Sequence, residues 1–567
     1  MVDFEFGCAA PNGTMVLEVG SLGLVAGAFD TFGLEDLINQ KIGKEGSHVK
    51  VNSGAISKAL VMQMLNVPYQ TLSGTEEYYK NIALKTLVKD KITHKDLGRG
   101  VLGRFLDAVA DYGSEKLYLE CASQVVKSLG ITISEGHIDS TSFHYDGKTR
   151  EESDCELVLK KGYSRDHRPD LNQAIEVMIA DGQSRIPFYA KNVSGNINDN
   201  RSFNNALKYA VSTIKEQLRD FKYLVGDSAL CTPDNFDEAA KQGMKLVTRM
   251  PDKNSFATQC FEKCSPDGMN PVFEADEQSE QVPLGQWCGE TMIGEQRVKA
   301  LLVFNGNLKE QKSQTINKKA SKELDEMTAK IKKLSTSPCK CKQDAKKAVD
   351  ELKKKCHYCE ISGVEYEEVY KNAKKGRPAA DKEAEKILVA VKVTANVTIN
   401  EKEVARTLEK EMMYVIVTND TERDWSMGEL LSTYKRNSVI ERNWRCCKNP
   451  KFFVDAIYLK SPSRIDALLW LMSLALLVYA AMEYKIRKVM KENNLEIPSI
   501  VRGRVEKQPT MLRFLQYVGN CRINVFKIGE GPVYISNLEP VLQKILIGLG
   551  STWCKYFCSK NYETCFE

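Results

Sequence analysis

The sequence lacks a hydrophobic run long enough to cross a bilayer. Its most apolar stretch, Ala467 to Met482, is 16 residues bounded by Asp466 and Glu483, against the ~20 that a spanning helix needs. A buried core helix is the expectation, with no membrane partner. Met1 to Asn12 carries no basic segment followed by an apolar one, so no signal peptide is expected. Charge of one sign is also scarce: the net value is only +5 on 567 residues, which by itself selects no class of partner. A disulfide framework is missing as well. The 17 cysteines are odd in number and scattered through a long chain, a pattern that favours reduced thiols and a cytoplasmic location.

What is present suffices for a full core. Apolar residues make up 43% and charged residues 27%, an ordinary globular balance. The length implies three or four domains, or one core carrying large insertions. The charge is unevenly spread: Leu308 to Lys355 holds 15 Lys against 7 Asp and Glu, a local +8. Such a run fits contact with phosphate, and it equally fits a solvated helix face.

Periodicity divides the chain. Residues 1–129 read as a helical domain, with helical apolar spacing at Glu35–Gln40, Ala55–Leu65, Leu72–Tyr79 and Gly100–Val126. From Gly130 the period changes to that of strands. Ile131–Phe143, Asn172–Ala180 and Arg185–Val193 alternate, with the Asp181-Gly182 turn joining the last two. A helix at Arg201–Leu218, a strand at Lys222–Gly226, a helix at Pro233–Gln242 and a strand at Lys245–Arg249 follow. The order β-β-β-α-β-α-β over 130–254 places this core in the α/β class, in ribonuclease-H-like order. Residues 255–430 are expected to be a large inserted domain with short strands and a Lys-rich helical hairpin. Residues 431–490 complete the core, and 491–567 form a C-terminal tail region.

The chemistry gathers around Thr433 to Lys448. At helical spacing Tyr434, Asn437, Glu441, Arg445 and Lys448 share one face, while Ile440, Trp444 and Cys447 form a neighbouring face that can pack on a core. A carboxylate flanked by a phenol and two cations suits a metal site that meets a polyanion such as DNA phosphate. The plainer alternative is a solvated amphipathic helix with ordinary ion pairs. Asp139 sits mid-strand in His137-Ile138-Asp139-Ser140-Thr141, and Asp227 sits where the fourth strand ends. Three carboxylates brought together would repel unless divalent cations neutralised them, Mg²⁺ first and Mn²⁺ second.

Tyr434, Glu441 and Lys448 keep the register of a signature found in transposases of bacterial and archaeal insertion sequences, the insertion-sequence-four-like group of DDE transposases. The arginine of that signature is displaced: its position holds Asn437, and Arg436 lies one residue early. The stretch Gly162 to Asp170, with Arg165, His167 and Arg168, resembles a loop of the same group. Gly195 to Asp199 resembles its glycine-asparagine turn, where Asp199 could cap a helix. The resemblance implies a metal-dependent enzyme that cuts double-stranded DNA at element ends and joins the 3′-ends to target DNA. Asp139, Asp227 and Glu441 would hold two Mg²⁺ or Mn²⁺ ions. Tyr434, Arg436, Arg445, Lys448, Arg165 and Arg168 would face DNA. The chain would be nucleoid-associated, dimeric on DNA, and would bind element ends through residues 1–129. A nuclease without joining activity and a catalytically silent DNA-binding derivative are the rival readings. A base-stacking tryptophan could be Trp287, Trp425 or Trp444. Cys339, Cys341, Cys356 and Cys359 could form a zinc site, with reduced free cysteines the preferred reading.

Overall fold

The computed structural model describes residues 14–43, 50–66, 71–88, 92–147, 155–164, 168–273, 282–372, 386–448 and 459–566. The N-terminal part opens with β1 (Thr14–Glu18) and continues through helices Leu22–Thr31, Leu34–Ile42 and Ser53–Met64. The first of these was not anticipated. It is apolar all round, with eight buried residues, so it shows no amphipathic period from which to read it. The span expected as one helix from Gly100 is two, Arg99–Tyr112 and Ser114–Leu129. Gly113 at φ +98° separates them, a backbone conformation that residues with a Cβ rarely adopt.

Three antiparallel strands follow: β2 (Glu135–Tyr145), β3 (Asn172–Asp181) and β4 (Pro187–Ser194). Asn198 starts the next helix (Asp199–Asn205) by accepting the Arg201 N–H at 3.0 Å. β5 (Tyr223–Gly226) lies parallel to β2. Thr232 then caps the helix Pro233–Lys241 with proline at its first position. β6 (Lys245–Arg249) lies parallel to β5.

The stretch expected as an insert divides in two. β7 (Asn270–Pro271), β8 (Leu284–Ile293) and β9 (Gln296–Phe304) belong to the core sheet. The helices Lys309–Thr336 and Lys342–Lys355 then lead into β10 (Cys359–Asn372) and β11 (Lys386–Ile399), which form a two-stranded sheet of their own, with Cys339 bridging Val391 of β11. β12 (Met413–Thr418) returns to the core between β6 and β9. The result is one mixed sheet in the order β4-β3-β2-β5-β6-β12-β9-β8-β7.

The apolar segment of the sequence becomes the helix Pro462–Glu492. The helix extends past the 16-residue apolar run at both ends and so, contrary to the expectation from that run alone, is long and apolar enough to cross a membrane, yet 89% of its most apolar window is buried inside the protein. It packs on β4 and on the helix pair Arg99–Tyr112 and Ser114–Leu129. The C-terminal residues are not a detached tail: the strand Asn524–Ile528 pairs antiparallel with β1.

Candidate active site

Strand register sets the acidic residues. β2 and β5 pair in parallel with His137 opposite Val225, and β5 and β6 with Val225 opposite Val247. Two residues further along, Asp139 lies on β2 and Arg249 closes β6, while Asp227 directly follows the last residue of β5, Gly226. Side chains alternate along a strand, so Asp139 and Arg249 project to the face of His137 and Val247. The sequence reading missed Arg249. Its signal was available, because it closes the strand after the one that Asp227 follows. Its guanidinium Nη2 lies 2.8 and 2.7 Å from the two oxygens of Asp252. The Asp227 carboxylate accepts the Ala229 N–H at 3.0 Å, which holds the turn leaving β5.

That face is covered by two helices where one was expected. Met427–Lys435 starts with a capping box between Ser426 and Glu429, and Ser438–Cys447 follows after Arg436 and Asn437. The five-residue stripe is therefore split: Tyr434 ends the first helix, and Glu441 and Arg445 share the second. Lys448 lies just past it, its N–H on the Trp444 carbonyl at 2.9 Å. The apolar stripe does pack down, as Ile440 and Trp444 are buried against Met178, Ala180 and Leu476. Met178 is the cross-strand partner of Asp139, so the glutamate helix sits over the face that carries Asp139. Glu441 itself is exposed.

Arg436, expected at DNA phosphate, is instead turned inward. Its Nε and Nη2 donate to the two oxygens of Glu135 at 2.6 and 2.8 Å, and Nη2 also meets Thr433 Oγ1 at 3.0 Å. This bidentate pair ties the break between the helices to the start of β2. Burial opposes ionisation of Glu135, but His137 Nε2 at 3.5 Å, the two hydrogen bonds from Arg436 and the Arg436 charge hold its carboxyl down to about 2. Gly182 is needed beside it, since a Cβ there would stand 2.3 Å from Glu135 Oε1 and 2.6 Å from His137 Nε2.

Tyr434 links the acidic residues. Its ring packs 6.2 Å from that of Tyr414. Burial raises its phenol to about 12; Arg249 opposes the shift, and the charges of Asp227, Asp252 and Glu441 add to it. A neutral phenol thus lies within electrostatic reach of two of the three expected carboxylates.

The remaining expectations separate. Arg445 is exposed and Lys448 half-buried. Arg168 is held by Asp170, at 3.0 and 2.9 Å, and Arg165 and His167 lie outside the described residues. Asp199 does not cap its helix, a role Asn198 takes; it accepts from Ser140 Oγ at 2.5 Å, next to Asp139. Trp425 and Trp444 are buried, whereas Trp287 is half-buried with Lys299 Nζ 4.3 Å from its ring centroid. The four-cysteine reading for zinc is not supported: among the described residues no three metal-ligating side chains come together. Burial, with the Glu323 charge, pushes the Cys359 thiol up to about 11, away from the thiolate that zinc requires.

The acidic set is likewise open rather than closed. Among the described residues Asp139, Asp227 and Glu441 do not draw together into a closed metal site: the two aspartates are partly exposed, and Glu441 is exposed on its helix. The donors are all oxygen, which fits a hard divalent cation.

Comparison with known families places residues 133–478 in a family described as the transposase DDE domain, and residues 14–123 in a domain of unknown function (DUF4277). A search of curated proteins finds no match. Among solved structures, the chain is similar to a piggyBac transposase synaptic complex with hairpin DNA, at 8% identity and a TM-score of 0.37. That alignment covers 88% of this chain and 80% of the other; at so low a score it carries no conclusion.

Proposed function

Since the chain belongs to the transposase DDE-domain family, we propose that it is a DNA transposase of the bacterial and archaeal insertion-sequence type, built on a ribonuclease-H-like core. It cuts at the inverted-repeat ends of its element and joins the 3′-ends to target DNA. The observation that supports this reading is Asp139 on β2 beneath the helix bearing Glu441, with Asp227 directly following the adjacent parallel strand β5.

Asp139, Asp227 and Glu441 are the residues that would hold Mg²⁺ or Mn²⁺. When bound, two such ions supply charge neutralisation at the attacking and leaving oxygens of a displacement at phosphorus. The chain's own groups do the rest. Tyr434 stays a neutral hydrogen-bond donor and acceptor at the mouth of the site. Arg249, steadied by Asp252, presents a cation whose charge reaches Tyr434, as that of Asp227 does. Arg445 and Lys448 extend positive charge along the glutamate helix toward flanking phosphates. The Arg436–Glu135 pair fixes the helix at the height where Glu441 can swing to the two aspartates. Residues 14–123 grip the element ends, and two copies act together on DNA.

The decisive experiment incubates purified protein with Mg²⁺ and a duplex carrying the inverted repeats that flank its gene, then maps nicks and joined products. Nicks at the repeat ends followed by joining support the transposase. Cutting that never proceeds to joining reduces the protein to a nuclease, and no cutting removes the enzymatic reading.

A further inference from the structure

A second cationic feature lies at the turn between β3 and β4, where the glutamate helix reaches it through Asn443. The turn between β3 and β4 is tightly built. The Asp181 carboxylate accepts the N–H groups of Gln183 and Ser184 and the Ser184 hydroxyl, at 3.2, 2.6 and 2.7 Å. At the end of this turn Arg185 adopts φ +67°. An L-residue pays for that conformation, and glycine would hold it without strain. The arginine is nonetheless fixed there, with Asn443 of the glutamate helix donating to its carbonyl at 3.4 Å.

Its side chain enters a group of like charges. Arg185 Nη1 lies 3.7 Å from Glu483 Oε1, and Arg487 Nη1 lies 2.7 Å from the same oxygen. The other oxygen of Glu483 accepts the Met511 N–H at 2.7 Å. Arg442, exposed and next in sequence to Glu441, lies near enough for its charge to act on Arg185. Partial burial and the charges of Arg442 and Arg487 depress the Arg185 guanidinium below its ordinary range. One carboxylate oxygen thus serves two guanidiniums, those of Arg185 and Arg487. A strained residue held in a repulsive cluster is the pattern expected where structure is given up for binding.

We infer that Arg185, Arg442 and Arg487 form an anion site for a backbone phosphate of duplex DNA lying across the glutamate helix. Guanidinium forks suit phosphate oxygens in a way that lysines do not. The site rests on the transposase reading, but contributes to affinity and orientation rather than to the chemical step. Arg487 is also bonded to the Pro509 carbonyl at 2.8 Å, so it serves as the fixed wall, and Arg185 and Arg442 are the groups to test.

The test uses the full chain and a mixed-sequence duplex of about 30 base pairs, with binding measured by fluorescence anisotropy across a salt series. Arg185→Gly should bind more weakly while its thermal midpoint holds or rises, because glycine relieves the strained backbone. Arg185→Gly with Arg442→Gln should weaken binding about tenfold and reduce the salt slope by about 0.9 for each phosphate no longer neutralised. Arg442→Lys should keep part of the affinity. Unchanged affinity and slope in the double variant, with wild type binding and cutting, overturns this site and leaves the transposase reading intact. A fall in thermal midpoint for Arg185→Gly also overturns it, by making the arginine structural. A wild-type protein that binds no duplex overturns both.

Discussion

At the residue scale, the carboxylates of this protein fall into those that must ionise and those that the fold keeps neutral. Asp139, Asp227 and Glu441 are partly or fully open to solvent and act as one unit in the proposed chemistry. Asp139→Ala, Asp227→Ala and Glu441→Ala should each abolish cleavage and leave duplex affinity within about threefold, since affinity comes from distributed phosphate contacts. Cleavage at wild-type rate in any one variant would remove that residue from the site. Glu176, in contrast, is only 1% exposed and accepts the Ser473 hydroxyl. Burial lifts its carboxyl to about 8; the Ser473 bond opposes the shift, and nearby Asp466 adds to it. In the unfolded chain the same group titrates near its usual ~4.3. The folded state therefore keeps a proton that the unfolded state has lost. The stability from this group is full below about pH 4 and declines as pH rises toward 8. Glu176→Gln should flatten the pH dependence of the thermal midpoint between about pH 5 and 8, a difference of up to a few kcal/mol at the upper end. Parallel curves for the two proteins would mean that Glu176 ionises in the native state.

At the element scale, local patterns were legible and their interruptions were not. The alternation of β2, β3 and β4 gave those strands to within a few residues, although β2 and β3 are buried on both faces along most of their length. The Thr433–Lys448 stripe carried a helical period straight through a break. The reason is physical: Asn437 continues the chain with its N–H on the Tyr434 carbonyl at 3.0 Å, so side-chain spacing barely registers the change. The cause of the break, Arg436 bonding Glu135, lies 301 residues away in sequence. The Lys-rich hairpin was legible as helices and not as a unit, since its small core is built with strands β10 and β11: Ala345 and Val349 pack against Val391 and Val393. With so small a core, its exposed lysines are dispensable for folding and open to a partner. Changing four of Lys330, Lys332, Lys333, Lys346 and Lys347 to Glu should weaken duplex binding and lower the salt slope by about one for each phosphate no longer neutralised, with the thermal midpoint little changed. An unaltered slope would make this face a solvated surface only.

At the scale of the whole molecule, the two ends of the chain close on each other, which no sequence period announces. β1 pairs with Asn524–Ile528, and Gly27 accommodates Trp553 so closely that a Cβ would stand 3.1 Å from its Cα. The junction is polar at its centre. Lys58, with a side chain 2% exposed, lies 2.5 Å from Asp30 Oδ1 and 3.4 Å from Glu35 Oε2. It also donates to Tyr556 Oη, 498 residues away, at 2.9 Å. Asp30 in turn accepts from Tyr556 at 2.5 Å and faces Lys555 at 2.6 Å. Burial would raise the Asp30 carboxyl, but Lys58, Lys555 and Tyr556 together bring it below its usual range, whereas burial wins at Glu35 and raises it. Removing one member of such a network leaves the others buried and unpaired, and that penalty exceeds what the pair contributes over an apolar replacement. Lys58→Met should therefore cost about 3–5 kcal/mol, because Glu35 loses its cation and Asp30 keeps only Lys555 and the Tyr556 hydroxyl. Tyr556→Phe, which deletes one hydroxyl serving both Lys58 and Asp30, should cost about 1–3 kcal/mol. The two losses should not add, since they share partners. If the ends hold together through this network, both variants should also expose residues 14–129 to protease at temperatures where the central sheet stays folded. A Lys58→Met protein with the wild-type midpoint and protease pattern would show that the apolar contacts around Trp553 close the ends without it.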